Sequence, residues 1–172
     1  MRLKLVWLMF FVGVIAINQV AHAQVPTLSR MVETLQSKGV KTCAADLDKV
    51  AKWIHSDESK VANVTTWYPA NPDKRSAFAA TSERYSDGSM VTTFTASPDA
   101  SGTCAISATQ VFTSSKNCPS LREDVFKEWK FLLDMGASTA YEREDFKEST
   151  VFVTPMPNGG CMVVKQSIFY YE

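Results

Sequence analysis

The histidine and the acidic residues are the side chains of this sequence that could do acid–base chemistry. His55 is the histidine that lies outside the N-terminal segment, and the acid-rich stretches 82–87 and 141–149 contain Glu83 and Glu142. Paired carboxylates, or a histidine beside a nucleophile, would support hydrolysis. The sequence contains no G-x-S-x-G segment to supply a serine nucleophile. It therefore predicts no catalytic centre, and His55, Glu83 and Glu142 are the residues that a small carboxylate-dependent hydrolase would use.

The cysteines could hold a metal or form disulfides. There are four of them, Cys43, Cys104, Cys118 and Cys161. None of them forms a C-x-x-C pair and histidine is scarce, so the spacing does not favour zinc. An even number of cysteines in an exported chain favours two disulfides. We therefore expect no metal and no cofactor.

Aromatic residues are the candidates for binding. Trp53 and Trp129 lie on predicted helices that should share the core. A further tryptophan and three tyrosines lie in an irregular segment and at the C-terminus, where they could form a contact surface. We name these four as candidate binding residues: Trp67, Tyr68, Tyr170 and Tyr171.

The N-terminus has the pattern of a secretory signal peptide. Arg2 and Lys4 precede an apolar run, and Ala21-His22-Ala23 provides a small-x-small cleavage motif. Residues 1–23 are therefore the predicted signal peptide, and residues 24–172 are a single exported domain, periplasmic or secreted. After cleavage the net charge is about −2, which attracts neither nucleic acid nor an anionic membrane. We expect no nucleic-acid partner and no membrane span after cleavage, while the oligomeric state stays open.

Three stretches have the apolar spacing of amphipathic helices. The first begins near Leu28, the second extends from Cys43 to His55, and the third is preceded by Pro119 and stopped by Gly136. In the third, Ser120 and Glu123 form a capping box at the start. Its expected buried stripe consists of Leu121, Val125, Trp129, Leu132 and Leu133.

From Asn63 onward the apolar spacing falls to the period of two that is typical of strands. A tight turn at Asp87-Gly88 would pair Tyr85 with Met90 and Thr81 with Phe94. A second turn at 157–160 predicts two faces for the last hairpin. One face would carry Val151, Val153, Val164 and Ile168, and the other Phe152, Val163 and Phe169.

Two segments match each other in their glycine, proline and cysteine positions. "SPDASGTCAISATQVF" at 97–112 aligns with "TPMPNGGCMVVKQSIF" at 154–169, and Cys43 aligns with Cys118 at the start of two predicted helices. This pattern indicates half-repeats at 40–115 and 116–172, each a helix plus three strands, with the stretch 62–76 as an insert in the first. Three disulfide connectivities are available to four cysteines, and a repeat favours Cys43 with Cys104 and Cys118 with Cys161.

Together these patterns predict an α+β domain with helices on one face of an antiparallel sheet of six to seven strands. The absence of a catalytic motif and the surplus aromatics favour a disulfide-stabilised binding or inhibitory module. We expect its partner to be another protein of the cell envelope or outside the cell. The small hydrolase is the alternative.

Overall fold

The computed structural model describes residues 28–55, 57, 61–85, 88–146 and 148–171. The predicted signal peptide, residues 1–23, lies outside these ranges. The helices are α1 (Leu28–Ser37), α2 (Ala44–Ile54) and α3 (Cys118–Val125), and a 3₁₀ turn covers Glu144–Phe146. The strands are β1 (Val61–Thr66), β2 (Ala77–Tyr85), β3 (Gly88–Pro98), β4 (Cys104–Ser114), β5 (Lys130–Asp134), β6 (Thr139–Glu142), β7 (Ser149–Pro155) and β8 (Cys161–Tyr171).

The strands form one antiparallel sheet in the order β1-β2-β3-β4-β8-β7-β6-β5. The α+β class is confirmed, but the sheet has eight strands rather than six to seven. The difference lies at the two edges. Residues 62–76, expected to be an insert, include most of β1, and residues 130–134, expected to be helical, form β5.

All three helices cover the same face of the sheet. α1 and α2 pack on the first four strands, where the core includes Met31, Leu35, Leu47, Phe94 and Ile106. α3 packs on β7 and β8 over a second cluster that includes Leu121, Phe126, Trp129, Val151 and Val163. Full burial of such a side chain contributes about 1.5–3 kcal/mol. No helix among the described residues is long and apolar enough to cross a bilayer.

The second helix follows its sequence pattern closely. Leu47, Val50 and Ala51 are buried on one face. On the wet face, Lys49 and Lys52 form ion pairs with Asp46 and Asp48 one turn earlier. The apolar stripe thus sets which face of α2 meets the sheet, and this fixes where its last residues point.

The third helix is shorter than predicted. Its N-cap is Asn117, whose Oδ1 accepts a hydrogen bond from the backbone N–H of Ser120 at 2.9 Å. The helix ends at Val125 because Phe126 leaves the helical region, with φ −116° and ψ 22°. The rings of Phe126 and Trp129 then meet edge to face with centroids 5.9 Å apart, which anchors the chain in the second cluster.

The residues that follow Trp129 form an edge strand instead of a helical stripe. β5 pairs with β6, and all of its side chains are exposed. Leu132 and Leu133 were expected to be buried on a helix, and this prediction is wrong. Their spacing satisfies a helical pattern, but pairing with β6 satisfies the backbone of this segment.

Both predicted hairpin registers are wrong, with different consequences. In the first hairpin, Glu83 pairs with Met90 and Tyr85 with Gly88, a shift of two residues. Because side chains alternate with a period of two, the same residues still face the core. Asp87, which the predicted turn requires, lies outside the described residues.

In the last hairpin the register differs by one residue, and this exchanges the faces. Val153 pairs with Val163, and Phe152 pairs with Val164. The turn is longer than expected because Met156 and Gly160 are hydrogen-bonded through their backbones, N to O at 2.9 Å. Val163 therefore shares the buried face with Val151 and Val153, whereas Val164 and Ile168 lie on the other face with Phe152.

At the centre of the sheet, the β4–β8 pairing is symmetric about its midpoint: the first residue of each strand pairs with the last residue of the other. Cys104 faces Tyr171 at one end, Ser114 faces Cys161 at the other, and Thr109 faces Gln166 midway. Thr109 and Gln166 are as far apart in the sequence as Cys104 and Cys161. Each half of the sheet therefore has four strands, whereas each predicted half-repeat has three.

Each side also carries one disulfide. The bond between Cys43 and Cys104 ties the residue before α2 to the first residue of β4, and the bond between Cys118 and Cys161 ties the first residue of α3 to that of β8. The described part of the chain has no free cysteine. The protein is thus a disulfide-stabilised α+β module.

Candidate functional site

His55 and Glu83, two of the candidate catalytic residues, meet in the interior. His55 follows the last residue of α2, and its backbone N–H donates to the carbonyl of Ala51 at 2.9 Å. Below it, Thr81 and Glu83 project from β2 towards the helices. His55 Nδ1 is 2.8 Å from Glu83 Oε2, and His55 Nε2 is 2.8 Å from Thr81 Oγ1. His55 is 2 % exposed and Glu83 is 3 % exposed.

The hydrogen-bonding capacity of this buried cluster is largely in use. A carboxylate only accepts hydrogen bonds, so Nδ1 of His55 carries the proton that faces Glu83. The hydroxyl of Tyr85 also donates to Glu83 Oε2, at 2.7 Å. Burial, together with this hydrogen bond and the negative charge of Glu83, raises the pKa of Tyr85 to about 12. Glu83 therefore joins α2 to the end of β2 through two donors.

One cavity is lined by Tyr85 of this cluster. It has a volume of about 270 Å³ and lies between the sheet and α3, lined by Tyr85, Met90, Phe112, Leu121 and Val125 among others. His55 and Glu83 are not part of the lining. A substrate in this cavity would meet a tyrosine hydroxyl and apolar side chains instead of the imidazole.

Glu142, the third candidate, lies far from the other two. It is exposed on β6, on the face of the sheet opposite to Glu83. Four strands separate β6 from β2, a distance of about 24 Å at the usual strand spacing. Glu83 and Glu142 thus do not form a carboxylate pair. Among the described residues, no group of three histidine, cysteine or acidic side chains is placed to hold a metal ion.

Lys165 occupies the helix-covered face of central strand β8, between two tryptophans. Its ammonium nitrogen lies 5.3 Å from the centroid of Trp53 on α2 and 6.0 Å from that of Trp129 after α3. Burial, and then the positive charge of Arg143, lowers the pKa of Lys165. Lys165 thus contacts one tryptophan from each half of the helix-covered face, Trp53 on α2 and Trp129 after α3.

The opposite face of the sheet carries none of the three helices. One cross-strand row on this face runs through all eight strands, and it contains no charged residue. In order from β1 to β5 its members are Ala62, Ser82, Val91, Val111, Val164, Phe152, Ala140 and Leu133. We call the surface formed by this row and its neighbours on the same side of the sheet the open face.

The open face is poor in charge. Of the described side chains that the eight strands place on it, three are charged, namely Arg84 on β2, Glu142 on β6 and Lys130 on β5; most of the others are threonine, serine, valine and alanine. Its exposed large apolar side chains include Val64, Phe78, Val91, Ile168 and Tyr170. At ordinary strand spacing the face measures roughly 34 Å by 20 Å, which approaches the ~800 Å² that each partner contributes to a standard protein interface.

The four candidate binding residues are dispersed. Tyr170 lies on the open face and is the most exposed of them, at 70 %. Tyr68 is exposed in the loop after β1. Trp67 and Tyr171 are half-buried against the first core cluster, with Lys38 and Lys49 over their rings at 5.9 and 5.3 Å. The structure therefore does not bring these four together into one patch.

The uncharged row was not predicted from the sequence, because its members lie on strands already predicted to be amphipathic. The available signal was the presence of adjacent apolar residues, such as Val163 and Val164 or Val151 and Phe152. Such pairs place an apolar side chain on both faces of a strand. Comparison with models of protein families, with curated proteins and with solved structures found no match.

Proposed function

We propose that the chain is an exported binding or inhibitory module whose target, another envelope or extracellular protein, docks on the open face. The observation that carries this proposal is the uncharged row that crosses the whole sheet from Ala62 to Leu133. Interface cores are depleted in charged residues and rich in aromatic ones. Phe152 within the row, with Phe78 and Tyr170 elsewhere on the same face, matches that composition.

The chemistry of the open face favours a protein target over a nucleic acid or an anionic surface. Those ligands require clustered lysine or arginine, and the face has little charge of either sign. Threonine and serine hydroxyls supply adaptable hydrogen bonds, while the valines supply apolar area. The complementary surface on the target is therefore uncharged and partly apolar.

The site of action that we propose is the periplasm or the exterior of the cell. The predicted signal peptide at 1–23 motivates this assignment, and two disulfides are typical of an oxidising compartment. The mature chain should then begin at Gln24. Intact-mass measurement of the protein purified from culture medium or periplasm would contradict this assignment if it found residues 1–23 still attached.

We also infer that the two sides of the sheet arose by duplication of a helix and four strands. Support comes from the equal spacing of Cys104/Cys161 and Thr109/Gln166 and from one disulfide on each side. Under this hypothesis a circular permutant that begins at residue 116 and joins residue 171 to residue 24 through a flexible linker should fold. Failure of several linker lengths to give a cooperative unfolding transition would argue against it.

The proposed function is tested by affinity capture on substituted proteins. Mature wild-type protein should retain a partner from an extract of its own cell envelope, and Val91→Glu and Val111→Glu should lose it, because each introduces a buried unpaired charge into the interface. Gln36→Glu is the matched control, since it adds the same charge to the exposed surface of α1. Capture that survives both valine substitutions, or capture of no partner by wild type, would overturn the proposal.

The alternative hydrolase rests on the contact between His55 and Glu83. It requires substrate to approach a pair that is buried in this structure. Turnover of an envelope polymer that Glu83→Gln abolishes while the thermal midpoint is preserved would favour the hydrolase. Turnover that the variant leaves unchanged would exclude this pair from the chemistry.

A further inference from the structure

The helix-covered face of the sheet carries two separate core clusters with a polar strip between them. α2 packs on β3 and β4, and α3 packs on β7 and β8. Lys165 on β8 and Gln110 on β4 are direct cross-strand neighbours, and neither belongs to a cluster. Side chains between a sheet and its helices are normally apolar. We call the strip around these two residues, bounded by Trp53 on α2 and Trp129 after α3, the valley.

The ammonium of Lys165 contacts two aromatic rings but no hydrogen-bond acceptor. Its nitrogen lies 5.3 Å from the centroid of Trp53 and 6.0 Å from that of Trp129, and it forms no hydrogen bond or ion pair with a described residue. An ammonium has three N–H donors. Burial, and then the positive charge of Arg143, lowers the pKa of Lys165. This half-buried cation thus lacks a counter-ion within the described part of the chain.

The polar groups of the valley remain within reach of a ligand. Thr92 Oγ1 is the fully buried side-chain nitrogen or oxygen without a hydrogen-bond partner among the described residues, so the Lys165 nitrogen keeps contact with solvent. Gln110 Nε2 donates to the sulfur of Met90 at 3.2 Å, which is a weak acceptor. The valley therefore offers an anion one cation and an amide beside it.

Trp53 gives the valley an exposed aromatic side. Its ring is 53 % exposed, although the sequence predicts it to lie in the core, whereas Trp129 is 7 % exposed. Phe169 holds the indole of Trp53 in place, with ring centroids 5.6 Å apart at 70°. An indole that is fixed on one side and open on the other is a surface on which the ring of a ligand can pack.

We propose that the valley binds a small ring-bearing carboxylate, whose carboxylate pairs with Lys165 while its ring packs on the exposed indole of Trp53. Charge complementarity favours a monoanion. Arg143 already pairs with Asp145, so the valley presents one uncompensated positive charge, and a single carboxylate supplies the missing acceptor and counter-ion together. Acidic sugars and aromatic acids share this chemistry. The valley lies on the face opposite to the open face, so this site is independent of target binding.

Isothermal titration calorimetry of the mature protein at low ionic strength tests the proposal, since salt screens the ion pair. The probes are glucuronate and phenylacetate, each with an uncharged counterpart, methyl glucoside and phenylacetamide. Wild type should bind at least one carboxylate with a Kd of about 1 mM or below, and its uncharged counterpart about tenfold more weakly or worse. The tighter carboxylate identifies an acidic sugar or an aromatic acid as the ligand. Binding of neither carboxylate would overturn the proposal.

Substitution of the cation tests its role. Lys165→Met keeps an apolar stem between the tryptophans and removes the charge, so it should weaken carboxylate binding about tenfold or more. Lys49→Met is the matched control: Lys49 also lies over an aromatic ring, 5.3 Å from the centroid of Tyr171, but it is paired with Asp46. This variant should bind as wild type does. Far-UV circular dichroism verifies that both variants are folded, and binding that survives Lys165→Met would contradict the proposal.

Nuclear magnetic resonance locates the bound ligand. In ¹H–¹⁵N spectra, the indole N–H signal of Trp53 should shift as the carboxylate is added. Trp67 is the internal reference, because it too has a lysine over its ring, Lys38 at 5.9 Å, but lies outside the valley, and its signal should stay in place. A carboxylate that shifts Trp67 and leaves Trp53 unchanged would place the site elsewhere and overturn the proposal.

Discussion

The imidazole of His55 and the carboxylate of Glu83 are hydrogen-bonded to each other at 2.8 Å in the interior of the protein. One lies at the end of α2 and the other on the second strand of the sheet, so this contact sets the position of the helix over the strand. The contribution of this contact to the free energy of unfolding can be compared with that of a nearby buried hydroxyl. Thr92 Oγ1 is the one buried side-chain oxygen of the described residues for which no hydrogen-bond partner is found.

Glu83→Leu should destabilise the protein strongly. It leaves the Nδ1–H of His55 and the hydroxyl of Tyr85 without their acceptor, and breaking a buried pair from one side costs about 3 kcal/mol or more. Thr92→Val is the control, because it removes a hydroxyl that makes no hydrogen bond, and the change should lie between zero and a gain of about 1 kcal/mol. Urea unfolding measures both. Equal effects of the two substitutions would contradict the importance of the His55–Glu83 contact.

Tyr85 should make the protein less stable at alkaline pH. Its pKa is raised from 10.0 to about 12 in the folded protein, so between these values the folded state keeps a proton that the unfolded state has lost. The free energy of unfolding therefore falls as pH rises from about 10 to about 12. Tyr85→Phe should remove this part of the decline, whereas Tyr68→Phe, in an exposed loop, should leave it in place. Urea midpoints measured across this range decide the matter.

Lys165 should contribute the opposite slope at lower pH. Burial, and secondarily the charge of Arg143, lowers its pKa below 10.5, so the unfolded state binds its proton more readily than the folded state does. Its contribution to the free energy of unfolding then rises with pH up to about 10.5. Lys165→Met should flatten that rise. Lys49→Met is the contrasting control: the hydrogen bond to Asp46, followed by the charge of that residue, raises the pKa of Lys49, so its removal should change the slope with the opposite sign.

Each disulfide should contribute substantially to stability. The bridges close loops of 61 and 43 residues, for which the chain-entropy relation gives about 4 kcal/mol each. Replacing either pair by alanines should lower the free energy of urea unfolding by about that amount, slightly more for Cys43 with Cys104. A loss near zero for one pair would indicate that its loop is already constrained in the unfolded chain.

Local patterns in the sequence predicted α2 well, because its stripe, charged face and flanking residues agree with one another. They failed for residues 130–134, where Leu132 and Leu133 fit a helical period by spacing alone. Tertiary pairing with β6 decides the outcome there, and single-sequence periodicity contains no information on strand partners.

The candidate site was predictable in its parts but not in its assembly. His55 and Glu83 stood out separately by residue type, yet their contact depends on the register of β2 under α2. The open face is a property of the whole sheet order, since the uncharged row exists only when β4 lies beside β8. Neither relationship is encoded within a single sequence window.

The order of the cysteines along the chain also matters during biosynthesis. The first cysteine pairs with the second and the third with the fourth. If the chain enters an oxidising compartment N-terminus first, Cys43 and Cys104 can combine before Cys118 and Cys161 arrive. Oxidation in order of arrival then yields the native connectivity directly, so maturation should not depend on an enzyme that isomerises disulfides.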